Sequence, residues 1–271
     1  MDFSKLKFAC FGDSLTSDEI TGIGTAVCNK LGCSMVGNFA HGNSTCANWQ
    51  KGGVDITPVE IDIPFDACSA VNCLSNQVLG LLAHTTACGE KVRWTHPLDG
   101  EFEAPVMGKG FTEDIPDIIY IAISANDGKS SDGSMPVTPV IDDCENVYSQ
   151  PYAKLDKLTI ASALRWAVET LQSVYPKAFI FVASSMQANS DILHTAFDYP
   201  VLLKKREIIK KACLYSSVYF VDLFGESGFS RMHAKAGGDE IGIHPKPFWK
   251  NRIANYVTHE IKLHYFDMDE E

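Results

Sequence analysis

The chain has 271 residues, 45% of them hydrophobic, and a formal net charge of −11 at pH 7; that length can bury a full core in one large domain or two small ones. The acidic balance, with no basic cluster beyond Lys204-Lys205-Arg206, argues against a nucleic-acid or anionic-membrane surface. No apolar run approaches membrane-spanning length and the N-terminus lacks a basic start before a long apolar stretch. The sequence, if full length, is therefore expected in the cytoplasm; prior removal of an export signal would leave the same picture.

In chain order, short apolar runs alternate with amphipathic stretches. Lys7 to Phe11 reads as a strand, followed by a glycine turn and a helix from Ser17 to Leu31. Ser34 to Phe39 reads as a strand, Leu74 to His84 as a helix and Asp117 to Ile123 as a strand. The helix Ala153 to Tyr175, the strand Ala178 to Ala183, the helix Val201 to Tyr215, the strand Val218 to Leu223 and the helix Pro247 to His264 complete the series. The strand runs are continuously apolar, as in a sheet covered on both faces. This alternation implies an α/β fold: a three-layer α/β/α sandwich around a five-stranded parallel, flavodoxin-like sheet, with ligands bound outside the carboxyl ends of its strands.

Two stretches break the pattern. Gly52 to Asp117 holds one short helical pattern among Pro, Gly and mixed polar residues, and Asp127 to Pro151 is rich in Gly, Ser, Asp and Pro. Both read as insertions, around 52–116 and 127–151, on the rim of a single domain spanning 1–271. The acidic tail Asp267 to Glu271 reads as a solvated end. The nine cysteines contain no Cys-x-x-Cys, and Cys28/Cys33 and Cys68/Cys73 are each five apart, so neither a zinc knuckle nor a redox dithiol is indicated. They read as small core residues of a reducing compartment, with one or two disulfides in an exported form as the alternative.

Four segments at expected strand ends or loops carry chemistry. Phe11-Gly12-Asp13-Ser14-Leu15-Thr16 sets a serine at the mouth of the first strand, beside a helix expected to open at Thr16 to Asp18, where orphan N–H groups favour developing negative charge. Asn38 to Ser44 offers Gly42, Ser124-Ala125-Asn126-Asp127 follows the third strand, and Gly242-Ile243-His244-Pro245 lies near the C-terminus. Each has a bland competitor: Ser14 as a helix cap, Gly42 as a turn glycine, Asn126 in an Asx-turn.

Taken together and in order, these blocks resemble the SGNH/GDSL hydrolase family of serine esterases and lipases. Gly12 to Leu15 match its Gly-Asp-Ser-Leu, Gly42 its second-block glycine, Asn126 and Asp127 its third block with Ser124 in place of a glycine, and His244-Pro245 its fourth. The resemblance implies Ser14 as nucleophile, His244 as base, and the Ser14 and Gly42 amides with the Asn126 side chain as oxyanion donors. It implies cleavage of a carboxylic ester through an acyl-enzyme without metal or organic cofactor. The expected partner is a small-molecule or glycan ester, a short-acyl (acetyl) ester of a carbohydrate-like alcohol being preferred. The family's acid stands three residues before the histidine, where this chain has Ile241. Asp239 is preferred as the replacement over Glu240, and a backbone carbonyl orienting His244 as a dyad stays open. Of the other histidines only His41, beside Gly42, is expected near substrate.

Two other classes compete. A nucleotide-binding module would share the sheet, but no Gly-x-x-x-x-Gly-Lys-Ser/Thr is present and Gly22-Ile23-Gly24 lacks a third glycine. A catalytically silent carbohydrate-binding protein on the same fold is the stronger alternative.

Overall fold

The computed structural model describes residues 2–51, 53–57, 73–128, 144–189, 195–240 and 242–265. In chain order it contains β1 (Lys7–Gly12), α1 (Ile23–Leu31), β2 (Ser34–Asn38), the short β3 (Gln50–Lys51) and β4 (Val54–Asp55), α2 (Leu74–Thr85), β5 (Lys91–His96), β6 (Gly100–Met107) and β7 (Ile118–Ala122). There follow α3 (Cys144–Ser149), α4 (Ile160–Val174), β8 (Phe179–Ala183), α5 (Tyr199–Ser216), β9 (Tyr219–Val221), α6 (Arg231–Gly237) and α7 (Pro247–His264).

The central sheet has five strands in the order β2-β1-β7-β8-β9, every pair parallel. Its continuous apolar runs divide by residue parity, because successive side chains point to opposite faces. Phe8, Cys10, Ile118, Tyr120 and Phe181 pack with Ile23 and Val27 of α1 and Ile253 and Val257 of α7. Ala9, Phe11, Ile119, Ile121, Ile180 and Val182 pack with residues of α2, α4 and α5. The result is three layers with a core on each side of the sheet. Strand order reverses between β1 and β7, so the crevice of such a sheet opens at the carboxyl ends of these two strands.

Two helices start later than expected. The Asp13 carbonyl accepts the amides of Thr16 and Ser17, and the Ser17 carbonyl accepts those of Ile20, Thr21 and Gly22. These tight turns end at Gly22, which takes a left-handed φ of 67°, so α1 opens at Ile23 and no helix opens at Thr16 to Asp18. Ahead of α4, residues Tyr152–Lys154 form a single 3-10 turn, and the helix begins only where the Thr159 side chain accepts the Ser162 amide at 3.1 Å.

Within the stretch 52–116 the structure adds an antiparallel hairpin, β5 with β6, turning at Pro97 to Asp99. Along β5, exposed Lys91, Arg93 and Thr95 alternate with buried Val92, Trp94 and His96. Trp94 joins the core beside α2 and α4, and His96 is held by Glu169 of α4 at 2.9 Å. Parts of both expected insertions, 58–72 and 129–143, lie outside the described residues, as do Cys68, His194, Ile241 and the acidic tail. Among the described cysteines none forms a disulfide; Cys10, Cys28, Cys46, Cys73, Cys144 and Cys213 are buried. No helix of the described residues is long and apolar enough to cross a membrane.

Candidate functional site

Ser14 lies two residues beyond the end of β1 and is half-buried, and Asn126 follows β7, the neighbouring strand across the point of reversal. The Ser14 Oγ lies 2.9 Å from Nε2 of His244. The opposite ring nitrogen, Nδ1, lies 2.6 Å from Oδ2 of Asp239. Ser14, His244 and Asp239 thus form one hydrogen-bonded chain although the serine and the aspartate stand 225 positions apart in the sequence.

The loop between α6 and α7 makes this contact possible. The Asp239 amide donates to the His244 carbonyl at 2.9 Å and the Gly242 amide to the Asp239 carbonyl at 3.0 Å, while Gly238 and Pro245 form an antiparallel bridge. The chain therefore doubles back and sets residue 239 beside residue 244. Gly242 makes the reversal with φ of 69°, and a Cβ there would lie 2.6 Å from Cβ of Asn189. Only glycine meets both conditions without strain. Oδ1 of Asp239 accepts the amides of Ile243 (3.0 Å) and His244 (3.3 Å), so the carboxylate is oriented from both ends. Burial alone would raise the Asp239 pKa; the His244 hydrogen bond and the Ile243 amide outweigh it and hold the carboxyl below its ordinary range. Glu240 is exposed.

Gly42 is buried in the turn after β2, which the His41 amide ties to the Gly12 carbonyl at 3.2 Å. The His41 Nδ1 lies 2.8 Å from the Gly42 carbonyl, which can only accept, so that nitrogen carries the proton. Asn126 is buried and donates one amide hydrogen to the Ser44 carbonyl at 2.9 Å, joining the end of β7 to the Gly42 turn. Among the remaining histidines, His84 meets Asp114, His96 meets Glu169, and His233 closes the capping box of α6 and packs on Trp249.

Behind these residues is a buried polar frame that the sequence did not disclose. Asp13 accepts the amides of Leu15 (3.1 Å) and Ala125 (3.3 Å), tying the Ser14 turn to the Asn126 segment. Asp127 accepts those of Cys46 (2.7 Å) and Ala47 (2.9 Å). Lys205 of α5 is 0% exposed and donates to the carbonyls of Ala125 and Ala196, each at 2.9 Å. Burial pushes the Asp127 carboxyl up to about 6, opposed first by the Lys205 charge. Burial lowers Lys205 to about 8, opposed by the charges of Asp127 and Asp13. Burial also raises Asp13, against the amides it accepts. Gln77 of α2, also fully buried, holds both polar backbone groups of Gly12. Among the described residues no group of three or more His, Cys, Asp or Glu side chains is placed to hold a metal ion.

No family model and no curated protein sequence matches the chain. Solved structures do match in fold. A carbohydrate esterase family 2 enzyme from Corynascus thermopiles (Myceliophthora fergusii) aligns at TM-score 0.53 and 15% identity over 96% of this chain and 66% of that one, which also carries a carbohydrate binding domain. A protein from Bacteroides uniformis described as a GDSL-like lipase aligns at TM-score 0.52 and 14% identity over 96% of both chains. The lipase/acylhydrolase from Enterococcus faecalis aligns at TM-score 0.51 and 11% identity over 95% of both.

Proposed function

Starting from a chain that has the fold of the SGNH/GDSL hydrolases, we propose that it is a serine esterase with Ser14 as nucleophile. The observation that carries the reading is the hydrogen-bonded chain from Ser14 through His244 to Asp239 at the reversal point of the sheet. His244 Nε2 takes the Ser14 proton as Oγ attacks the ester carbonyl carbon, and Asp239 keeps the proton on Nδ1 and stabilises the imidazolium. The amides of Ser14 and Gly42 and the side chain of Asn126 donate to the oxyanion of the tetrahedral intermediate. His244 then protonates the departing alcohol. A water molecule, deprotonated by the same nitrogen, releases the acid and restores Ser14.

The substrate class we propose is a short-acyl, acetyl-type ester of a carbohydrate-like alcohol. Its support is the polar, Asp-, Ser- and Gly-rich composition of the rim segment 127–151 and the fold shared with a family 2 carbohydrate esterase. The test compares hydrolysis of acetyl and long-chain esters by the wild-type protein, Ser14→Ala and His244→Ala, with circular dichroism confirming folding. Both variants are expected at background on acetyl esters. Near-native turnover by either would overturn the mechanism, and a preference for long-chain esters would overturn the substrate class.

A further inference from the structure

Along β1 the backbone groups of alternate residues face β2. The Ser34 amide donates to the Leu6 carbonyl at 2.9 Å and the Phe39 amide to the Cys10 carbonyl at 2.8 Å. Gly12 is the next residue of this series, but β2 has ended at Asn38, level with Cys10. Gly12 is buried, so its backbone groups need partners other than bulk water. Past the end of β2 the His41 amide donates to the Gly12 carbonyl at 3.2 Å, and the Gln77 amide bonds both groups: Oε1 accepts the Gly12 N–H at 2.8 Å and Nε2 donates to the same carbonyl at 2.8 Å. One side chain thus supplies the acceptor that a longer β2 would offer the Gly12 N–H and, beside the His41 amide, a second donor to its carbonyl, two residues before Ser14. Gln77 is itself 0% exposed, which excludes water as a ready substitute.

We infer that Gln77 is a positioning residue that aims the Ser14 nucleophile by clamping both backbone groups of Gly12. The inference rests on the reading of Ser14 as nucleophile. The clamp fixes the peptide planes on each side of Gly12, and the His41 amide shares the same Gly12 carbonyl. Release of the clamp therefore disturbs both the strand end that carries Ser14 and the turn that carries Gly42. A displacement of about 1 Å at the reacting atoms costs on the order of 100-fold in rate.

The test uses the full chain with Gln77→Met, which keeps the side-chain length and removes both hydrogen bonds, and Gln77→Glu. The ionised glutamate keeps the acceptor for the Gly12 N–H but loses the donor; once protonated it can again accept and donate. For Gln77→Met we expect kcat to fall roughly 10- to 100-fold with KM within threefold, measured below the melting temperature. For Gln77→Glu the kcat relative to wild type should be low at pH 8 and recover as the pH falls. If Gln77→Met does not fold, the pH course of Gln77→Glu decides alone. Near-wild-type kcat in a folded Gln77→Met, a loss confined to KM, or a pH-independent Gln77→Glu ratio would overturn the assignment. The wild-type protein measured alongside separates the two claims: if it hydrolyses no ester, the esterase reading fails, and if it is active while the variants match it, only the role of Gln77 fails.

Discussion

Replacing Asp239 by Asn tests the part of the site that departs furthest from the family's spacing. Oδ1 of Asp239 is occupied by the Ile243 and His244 amides, both of them donors. An asparagine would keep its carbonyl oxygen there and turn its NH2 toward His244 Nδ1, which lies 2.6 Å from the present Oδ2. Two donors cannot share a hydrogen bond, so the ring must carry its proton on Nε2, facing Ser14, and cannot accept the Ser14 proton. The full effect of such a tautomer change is about 10⁴-fold in kcat, or about 5 kcal/mol of barrier. The Asp239 side chain is 34% exposed, so water supplies part of the lost charge stabilisation and the expected loss is about 10³- to 10⁴-fold. The assay is steady-state hydrolysis of an acetyl ester by Asp239→Asn and, as a control, Glu240→Gln, with melting curves for both. Glu240→Gln is expected within twofold of wild type. A loss below tenfold in Asp239→Asn would refute the reasoning and favour a backbone-oriented dyad.

Three further outcomes follow from the same geometry. Asn126→Ala should lower kcat by about 10²- to 10³-fold with little change in KM, the signature of a lost oxyanion donor; an effect confined to KM would remove Asn126 from that role. Gly242→Ala forces a side chain into a left-handed turn and against Asn189, so both melting temperature and kcat should fall, by at least tenfold for kcat because the loop sets Asp239 beside His244; wild-type values of both would contradict this account of the loop. For Lys205, the folded-state pKa of about 8 lies below the ordinary lysine value of 10.5, so between these values the unfolded chain binds more protons and this group makes stability rise with pH. Buried thiols with raised pKa values act in the opposite sense, so the readout is a difference: the stability of wild type minus that of Lys205→Met should increase from pH 8 to pH 10 in urea melts, and a constant or falling difference would contradict it.

The sheet was legible because its strands are buried on both faces and read as apolar runs such as Phe8 to Phe11 and Ile118 to Ile121. The β5–β6 hairpin was missed although its signals were present: Lys91 to His96 alternates polar and apolar, and Asp99-Gly100 marks a turn. The start of α1 was misplaced because amphipathic spacing does not register carbonyl capture by Thr16, Ser17 and the Ile20-to-Gly22 amides. At the site, the segments holding Ser14, Gly42, Asn126 and His244 stand out as short motifs. The proximity of Asp239 to His244 depends on a reversal through Gly242 that spacing alone does not specify. Gln77 and Lys205 were invisible for a different reason. Their partners are backbone groups, 65 residues away for Gln77 and 80 and 9 for Lys205, and backbone partners leave no residue-type signature.

The most direct test of the central claim is covalent labelling of the full chain with a serine-directed fluorophosphonate, followed by mass mapping of the modified peptide. The account predicts one adduct on Ser14, formed in step with loss of ester hydrolysis and greatly slowed in His244→Ala, because His244 Nε2 is the group within 2.9 Å that can take the Ser14 proton. Absence of labelling in folded protein, or an adduct on another serine that abolishes turnover, would contradict it.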